Sequence, residues 1–229
     1  MPGIPGSRRT RSKLRALELL LALLLFAPPE AAQAYREGVA LFEQGRAAEA
    51  LPLLERAAGL DERTAQYWKV VGVARAKLAD YRGSVEPFGK ACKLNPRLVD
   101  ACYYHGRSLY ASDLYKEALA PLRQALAVDT VKGRAETAIG QCQEALGEAE
   151  GAERTFRSAV GRNDGWAQSA RLAYGRFLVR QGRAAEAVPV LEAAQEPEAA
   201  DARYELGLAL SQCDRLAEAV RELERAPDH

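Results

Sequence analysis

The chain has 229 residues, 28% of them charged, with a formal net charge of +1, four cysteines and two histidines. So even a balance leaves no basic footprint for nucleic acid. One histidine is the last residue, and no glycine-rich phosphate loop, nucleophile elbow or His-Glu-x-x-His pattern occurs, so neither catalysis nor a cofactor is expected.

The first element in chain order is a basic start, Arg8, Arg9, Arg11, Lys13 and Arg15, followed by nine uninterrupted apolar residues from Leu19 to Ala27. Pro28-Pro29 and then Ala32-Gln33-Ala34 complete a three-part layout that predicts a secretory signal over residues 1–34, cleaved after Ala34. The expected destination is the periplasm or cell envelope. The apolar run falls short of the roughly 20 residues that span a bilayer. An uncleaved membrane anchor is the competing reading, and only then would the chain touch a membrane. No cysteine follows the run closely enough for a lipoprotein signal, and Arg11 and Ser12 fill the two apolar places of a twin-arginine motif. Cleavage would start the mature chain at Tyr35, inside the first predicted helix of the first repeat.

From residue 31 onward a single pattern repeats. Gly38, Gly72, Gly106 and Gly140 stand 34 residues apart. Twelve residues after each comes a small one (Ala50, Ser84, Ala118, Ala152), then a large apolar one (Leu54, Phe88, Leu122, Phe156), then an alanine (Ala57, Ala91, Ala125, Ala159). Gly175, Ala187, Leu191 and Ala194 form a fifth copy, and Gly207, Ala219, Leu223 and Ala226 a sixth, with spacings of 35 and 32 from the preceding glycines. The insertion falls around Asn163–Ala167 and the deletion around Gln195–Glu198. Such a period marks an array in which each unit buries its apolar face against the next.

Within one unit, helix-spaced apolar residues surround the glycine, a short turn such as Leu78-Ala79-Asp80 comes next, and a second helical face carries the small and large residues. A mid-helix glycine costs roughly 1 kcal/mol against alanine. Its recurrence therefore predicts close approach of two antiparallel helices, glycine facing Ala or Ser. Asn95-Pro96 ends the second helix of the second unit.

The pattern resembles the tetratricopeptide repeat family. The best-fitting unit, 65–98, carries Trp68, Gly72, Tyr81, Phe88, Ala91 and Pro96 at the family's signature places. Unit 99–132 keeps Gly106, Tyr115, Ala118, Leu122 and Ala125 but has Thr130 where proline is common, and unit 133–166 has Glu136 at a usually apolar place. The resemblance implies an all-α solenoid over 35–229, a right-handed superhelix of about six helix pairs (31–64, 65–98, 99–132, 133–166, 168–199 and 200–229). It also implies a non-catalytic scaffold that binds a protein or peptide segment in a concave groove lined by first helices.

The groove positions hold Lys69 and Lys77, then Tyr103, Arg107 and Tyr110, then Gln141, and then Arg176 and Arg180. Tyr103, Arg107 and Tyr110 are three or four residues apart and share one helical face. Aromatic and arginine side chains dominate interface energetics, so the expected partner is an extended or helical segment with acidic groups. The carboxylate clamp with which some family members hold acidic chaperone tails is not reproduced: Lys69 and Arg134 fit, but Val73, Tyr104 and Ala138 replace its other members.

His105 occupies an inward place and reads as a core residue, and carboxylates such as Glu49, Glu55, Glu186 and Glu218 read as a solvated outer face. Cys92 and Cys102 fall on neighbouring helices, where a disulfide or two small buried hydrophobes are both open; Cys142 and Cys213 are two units apart. No two cysteines have metal-ligand spacing. A second functional reading also stays open, that of a partner- or substrate-recruiting part of a larger enzyme.

Overall fold

The computed structural model describes residues 28–162, 164–194 and 199–226. The expected signal lies outside them as far as residue 27, as do Asn163 and the Gln195–Glu198 deletion point. Among the described residues there are twelve α-helices and no strand. The chain divides into two compact units, residues 1–95 and 96–229.

The first unit contains α1 (Pro29–Glu43), α2 (Ala47–Leu60), α3 (Ala65–Lys77) and α4 (Tyr81–Leu94). Helix α1 packs on α2 and α3 on α4, and α2 joins the two pairs by packing on α3. The core along this stack includes Ala31, Ala34, Ala50, Leu54, Ala57, Tyr67 and Val71. Ala34 therefore sits within α1, so the expected cleavage bond lies inside a helix whose buried face includes Ala31 and Ala34.

The second unit contains α5 (Ala101–Ala111), α6 (Tyr115–Ala125), α7 (Lys132–Ala145), α8 (Ala149–Gly161), α9 (Ala167–Arg180), α10 (Ala184–Glu192), α11 (Ala199–Gln212) and α12 (Leu216–Arg225). Consecutive helices pair in the same way, and first helices also meet first helices: α5 with α7, α7 with α9, and α9 with α11. Where Thr130 stands in place of proline, a 3₁₀ turn, Asp129–Val131, redirects the chain and buries Val131. Phe156, Tyr174 and Phe177 form an aromatic core, with ring centroids 5.4–6.3 Å apart.

The atoms nearest each repeated glycine belong to a large side chain of the facing helix. A β-carbon at Gly72 would come within 2.8 Å of the Phe88 ring, and one at Gly38 within 2.8 Å of Leu54. Gly140 faces Phe156, Gly175 faces Leu191 and Gly207 faces Leu223 in the same way. Each glycine is thus a socket for the large residue of its own pair. At Gly106 and Gly207 a facing backbone is close as well, the carbonyls of Ala118 and Ala219 lying 3.1 and 3.3 Å from the added carbon. The small residues Ala50, Ser84, Ala118, Ala152 and Ala187 are fully buried beside this contact.

The turn inside each pair is also repeated. Gly45, Ala79, Asp113, Gly147, Gly182 and Asp214 all have φ between 58° and 80°. The next amide bonds back five residues, as Asp80 to the Arg75 carbonyl at 3.0 Å and Leu114 to that of Leu109 at 2.9 Å. This is the left-handed cap that satisfies orphan carbonyls at a helix end. Asp80 then caps α4, accepting a 2.8 Å bond from the Gly83 amide.

Polar departures from the apolar pattern answer one another. Arg75 donates to Glu55 from Nη2 at 2.6 Å and from Nε at 3.1 Å. Glu136 accepts two bonds from Arg162, at 2.6 and 2.8 Å. Glu153 accepts from Arg183 and Arg157, and the Arg183 guanidinium holds its carboxyl below the usual range. Glu49, Glu186 and Glu218 are drawn into pairs with Arg46, Arg183 and Arg215, so these carboxylates are solvated but not unpartnered. Exposed pairs of this kind contribute little.

Two outcomes test the socket and the cap. Gly106→Leu forces the fully buried Leu122 out of its socket and should lower stability by about 1–3 kcal/mol or more, read from a thermal or denaturant melt. An unchanged melt would remove the socket argument. Ala79 bears the steric cost of the left-handed region without the side-chain bonding open to aspartate, so Ala79→Gly should raise stability by about 1 kcal/mol. A lower melting temperature for that variant would count against the cap.

Candidate partner-binding cleft

First helices α5, α7, α9 and α11 bring together the polar groups of the second unit. A cleft of about 390 Å³ is lined by Tyr110 from α5, by Gln141, Glu144 and Ala145 from α7, and by Ala173, Arg176 and Arg180 from α9. All four of the expected residues named in that lining (Tyr110, Gln141, Arg176 and Arg180) fall on helix faces that repeat at the same register. Arg107 joins them through Nη1, which donates to Gln141 Oε1 at 2.7 Å, and its guanidinium lies 5.2 Å from the Tyr110 ring centroid.

Tyr103 has a different environment. Arg134, from the start of α7, lies over its ring at 4.2 Å and also approaches Tyr104 and Trp166, at 5.6 and 4.8 Å. Arg134 pairs with Asp100, whose φ of 74° places it in the left-handed region at the entrance to α5. Trp166 Nε1 donates to the Thr130 carbonyl at 2.9 Å, which fixes the third wall of this aromatic enclosure. Burial pushes the Tyr103 hydroxyl pKa upward, so the group stays neutral. Tyr103 therefore supports α7 beside the cleft, while Tyr110 is the tyrosine that lines it.

Lys69 and Lys77 belong to the first compact unit, on α3. Lys69 is half-buried and Lys77 exposed, and neither is part of the lining of this cleft.

Carboxylates complete the cleft. Arg180 donates to both oxygens of Glu144, at 2.7 and 2.8 Å. Arg176 donates to Glu205 at 2.7 Å and to Asp201 at 3.3 Å, both on α11. Glu144 and Glu205 are only 16% exposed, so these pairs are shielded more than surface ones. The acids opposite Arg176 escape a reading of the sequence, although Asp201 and Glu205, four apart on one helix, mark a face aimed at a neighbour.

Among the described residues no group of three or more His, Cys, Asp or Glu side chains could hold a metal ion. His105 is partly buried rather than part of the core, and that burial lowers its pKa and favours the neutral imidazole. Cys142 is a buried free thiol pushed up to about 11 by its burial, and is correspondingly inert. No described helix is long and apolar enough to cross a membrane.

Comparison with known proteins supports the fold that carries this cleft. MamA of Desulfovibrio magneticus RS-1 is 22% identical and superposes with a TM-score of 0.61, over 88% of this chain and 99% of its own. PilW, a type IV pilus biogenesis factor, is 16% identical with a TM-score of 0.72, over 87% and 93%. YrrB, a repeat protein with an unusual peptide-binding site, is 22% identical with a TM-score of 0.52, over 76% and 90%. At these identities the likeness is one of fold. A comparison with curated proteins returns no match. Family profiles for the tetratricopeptide repeat match residues 35–98, 103–165, 145–196 and 178–229. The chain belongs to the tetratricopeptide repeat family and is a protein-interaction scaffold of that type.

Proposed function

We propose that the chain is a non-catalytic adaptor that holds a protein or peptide segment in the cleft formed by α5, α7 and α9. The observation that carries this reading is the cleft itself: an opening of about 390 Å³ where Tyr110, Gln141, Arg176 and Arg180 converge from three successive first helices. Tyrosine and arginine supply contact area and directional donors at low entropic cost, the usual composition of a binding hot spot. The peptide-binding site of the structurally similar YrrB supports the same use of the fold. The partner is expected to be a protein or peptide, with at least one acidic group to meet the arginines.

The double variant Arg107→Ala/Tyr110→Ala should lose partner capture from a cell-envelope extract while keeping the parent's helical signal. Capture equal to the parent would move the binding surface elsewhere.

The same reading puts the adaptor outside the cytoplasm. It rests on the basic start, the Leu19–Ala27 run and Ala32-Gln33-Ala34, and an envelope address is in keeping with the likeness to PilW. Mass spectrometry of the protein expressed with its own N-terminus should find it outside the cytoplasm, starting at Tyr35. An intact N-terminus in a membrane fraction would establish the anchor instead. Because cleavage after Ala34 removes buried residues of α1, the processed first pair should also melt earlier than the unprocessed one.

A further inference from the structure

Two arginines line the cleft, Arg107 borders it through Gln141 and Tyr110, and the three are not balanced alike. Arg180 is matched by Glu144, and Arg176 by Glu205 and Asp201. Arg107 has no carboxylate partner among the described residues; its bonded neighbour is the neutral amide of Gln141. Two other groups that sense its charge are neutral as well: the Tyr103 hydroxyl and the buried Cys142 thiol. Its Nε and Nη2 make no hydrogen bond among the described residues. A half-buried guanidinium loses hydration that only an opposite charge offsets in full. Its unused Nε and Nη2 form the fork that grips a carboxylate through two parallel bonds.

We propose that the cleft takes one carboxylate, at Arg107, and that the rest of the bound segment is uncharged where it lies along Tyr110, Ala145 and Ala173. This rests on the cleft being the partner site. It narrows the expected partner: Arg176 and Arg180 are already neutralised, so a run of acidic residues would meet Glu144, Glu205 and Asp201 and be repelled. The carboxylate is either an Asp or Glu side chain or the end of a chain.

The probe is a decapeptide set bearing an uncharged fluorophore, selected on the immobilised full chain from a random library synthesised with free and with amidated C-termini. Selected sequences should carry a single carboxylate; dependence on the free C-terminus, or on one Asp or Glu, identifies its source. Replacing that carboxylate by its amide should weaken binding tenfold or more. Arg107→Gln should do the same for the acidic peptide and change nothing for the amide. Gln141→Glu is the sharper variant, because it supplies the missing counter-charge within the protein. It should exclude the acidic peptide tenfold or more without lowering the melting temperature.

Acidic peptides that bind Arg107→Gln and Gln141→Glu as tightly as the parent would overturn the proposal. So would selection of peptides with acidic runs that depend on Arg176 or Arg180. If Tyr110→Ala still abolishes binding in those cases, the cleft remains the partner site and only the role of Arg107 falls. If no peptide is retained, or none of these variants alters binding, both readings fall together.

Discussion

Everything else in this molecule depends on a side chain from one helix entering the space a glycine leaves in its partner. Phe88 in the Gly72 gap and Leu122 in the Gly106 gap set how closely two antiparallel helices lie. The roughly 1 kcal/mol that glycine costs a helix interior is offset by burying a leucine or phenylalanine almost completely. Close pairing then brings the small residue and the alanine beyond it into contact, leaving one face of the first helix outside the core. The cleft residues stand on that remaining face.

Electrostatics is organised on top of this packing and keeps to its period. Arg107 and Gln141 are 34 residues apart, and so are Asp100 and Arg134; Arg180 and Glu144 are 36 apart. Each link joins the first helix of one repeat to the first helix of the next. Such a ladder holds the stacked first helices in register along the face that lines the cleft. It also consumes charge: of the three arginines at the cleft, two are already matched within the protein. The face is therefore much less basic than a count of its arginines suggests.

The fold is legible in the chain because it rests on apolar size at fixed spacing, displayed six times. The helix pairs, the tight turn at Ala79 and the convergence of Tyr110, Gln141, Arg176 and Arg180 all derive from that register. Choices among partners that sequence spacing leaves equivalent are not legible in this way. Tyr103 and Tyr110 sit on one face of α5, yet Arg134 covers the first while the second lines the cleft. Spacing assigns the glycine contact to the small residue facing it, whereas the large side chain one turn further on fills most of the space. Long arginine and leucine side chains reach past the nearest neighbour, and their length decides such cases. Comparing residues one full period apart would expose the Arg107–Gln141 and Asp100–Arg134 links.

The socket and the side chain that fills it always belong to the same helix pair, as Gly38 with Leu54 and Gly175 with Leu191 show. Each pair thus carries its own lock and key, and whole repeats can be duplicated or lost without orphaning either half. Changes of a single residue have no such freedom inside a pair, where they would throw the two helices out of step. That is where the chain's two irregular spacings acquire meaning: 35 residues from Gly140 to Gly175 and 32 from Gly175 to Gly207, with every glycine still meeting its own large residue. The drift in length has been absorbed between modules, so the joints record the history of the array while the pairs preserve its grammar.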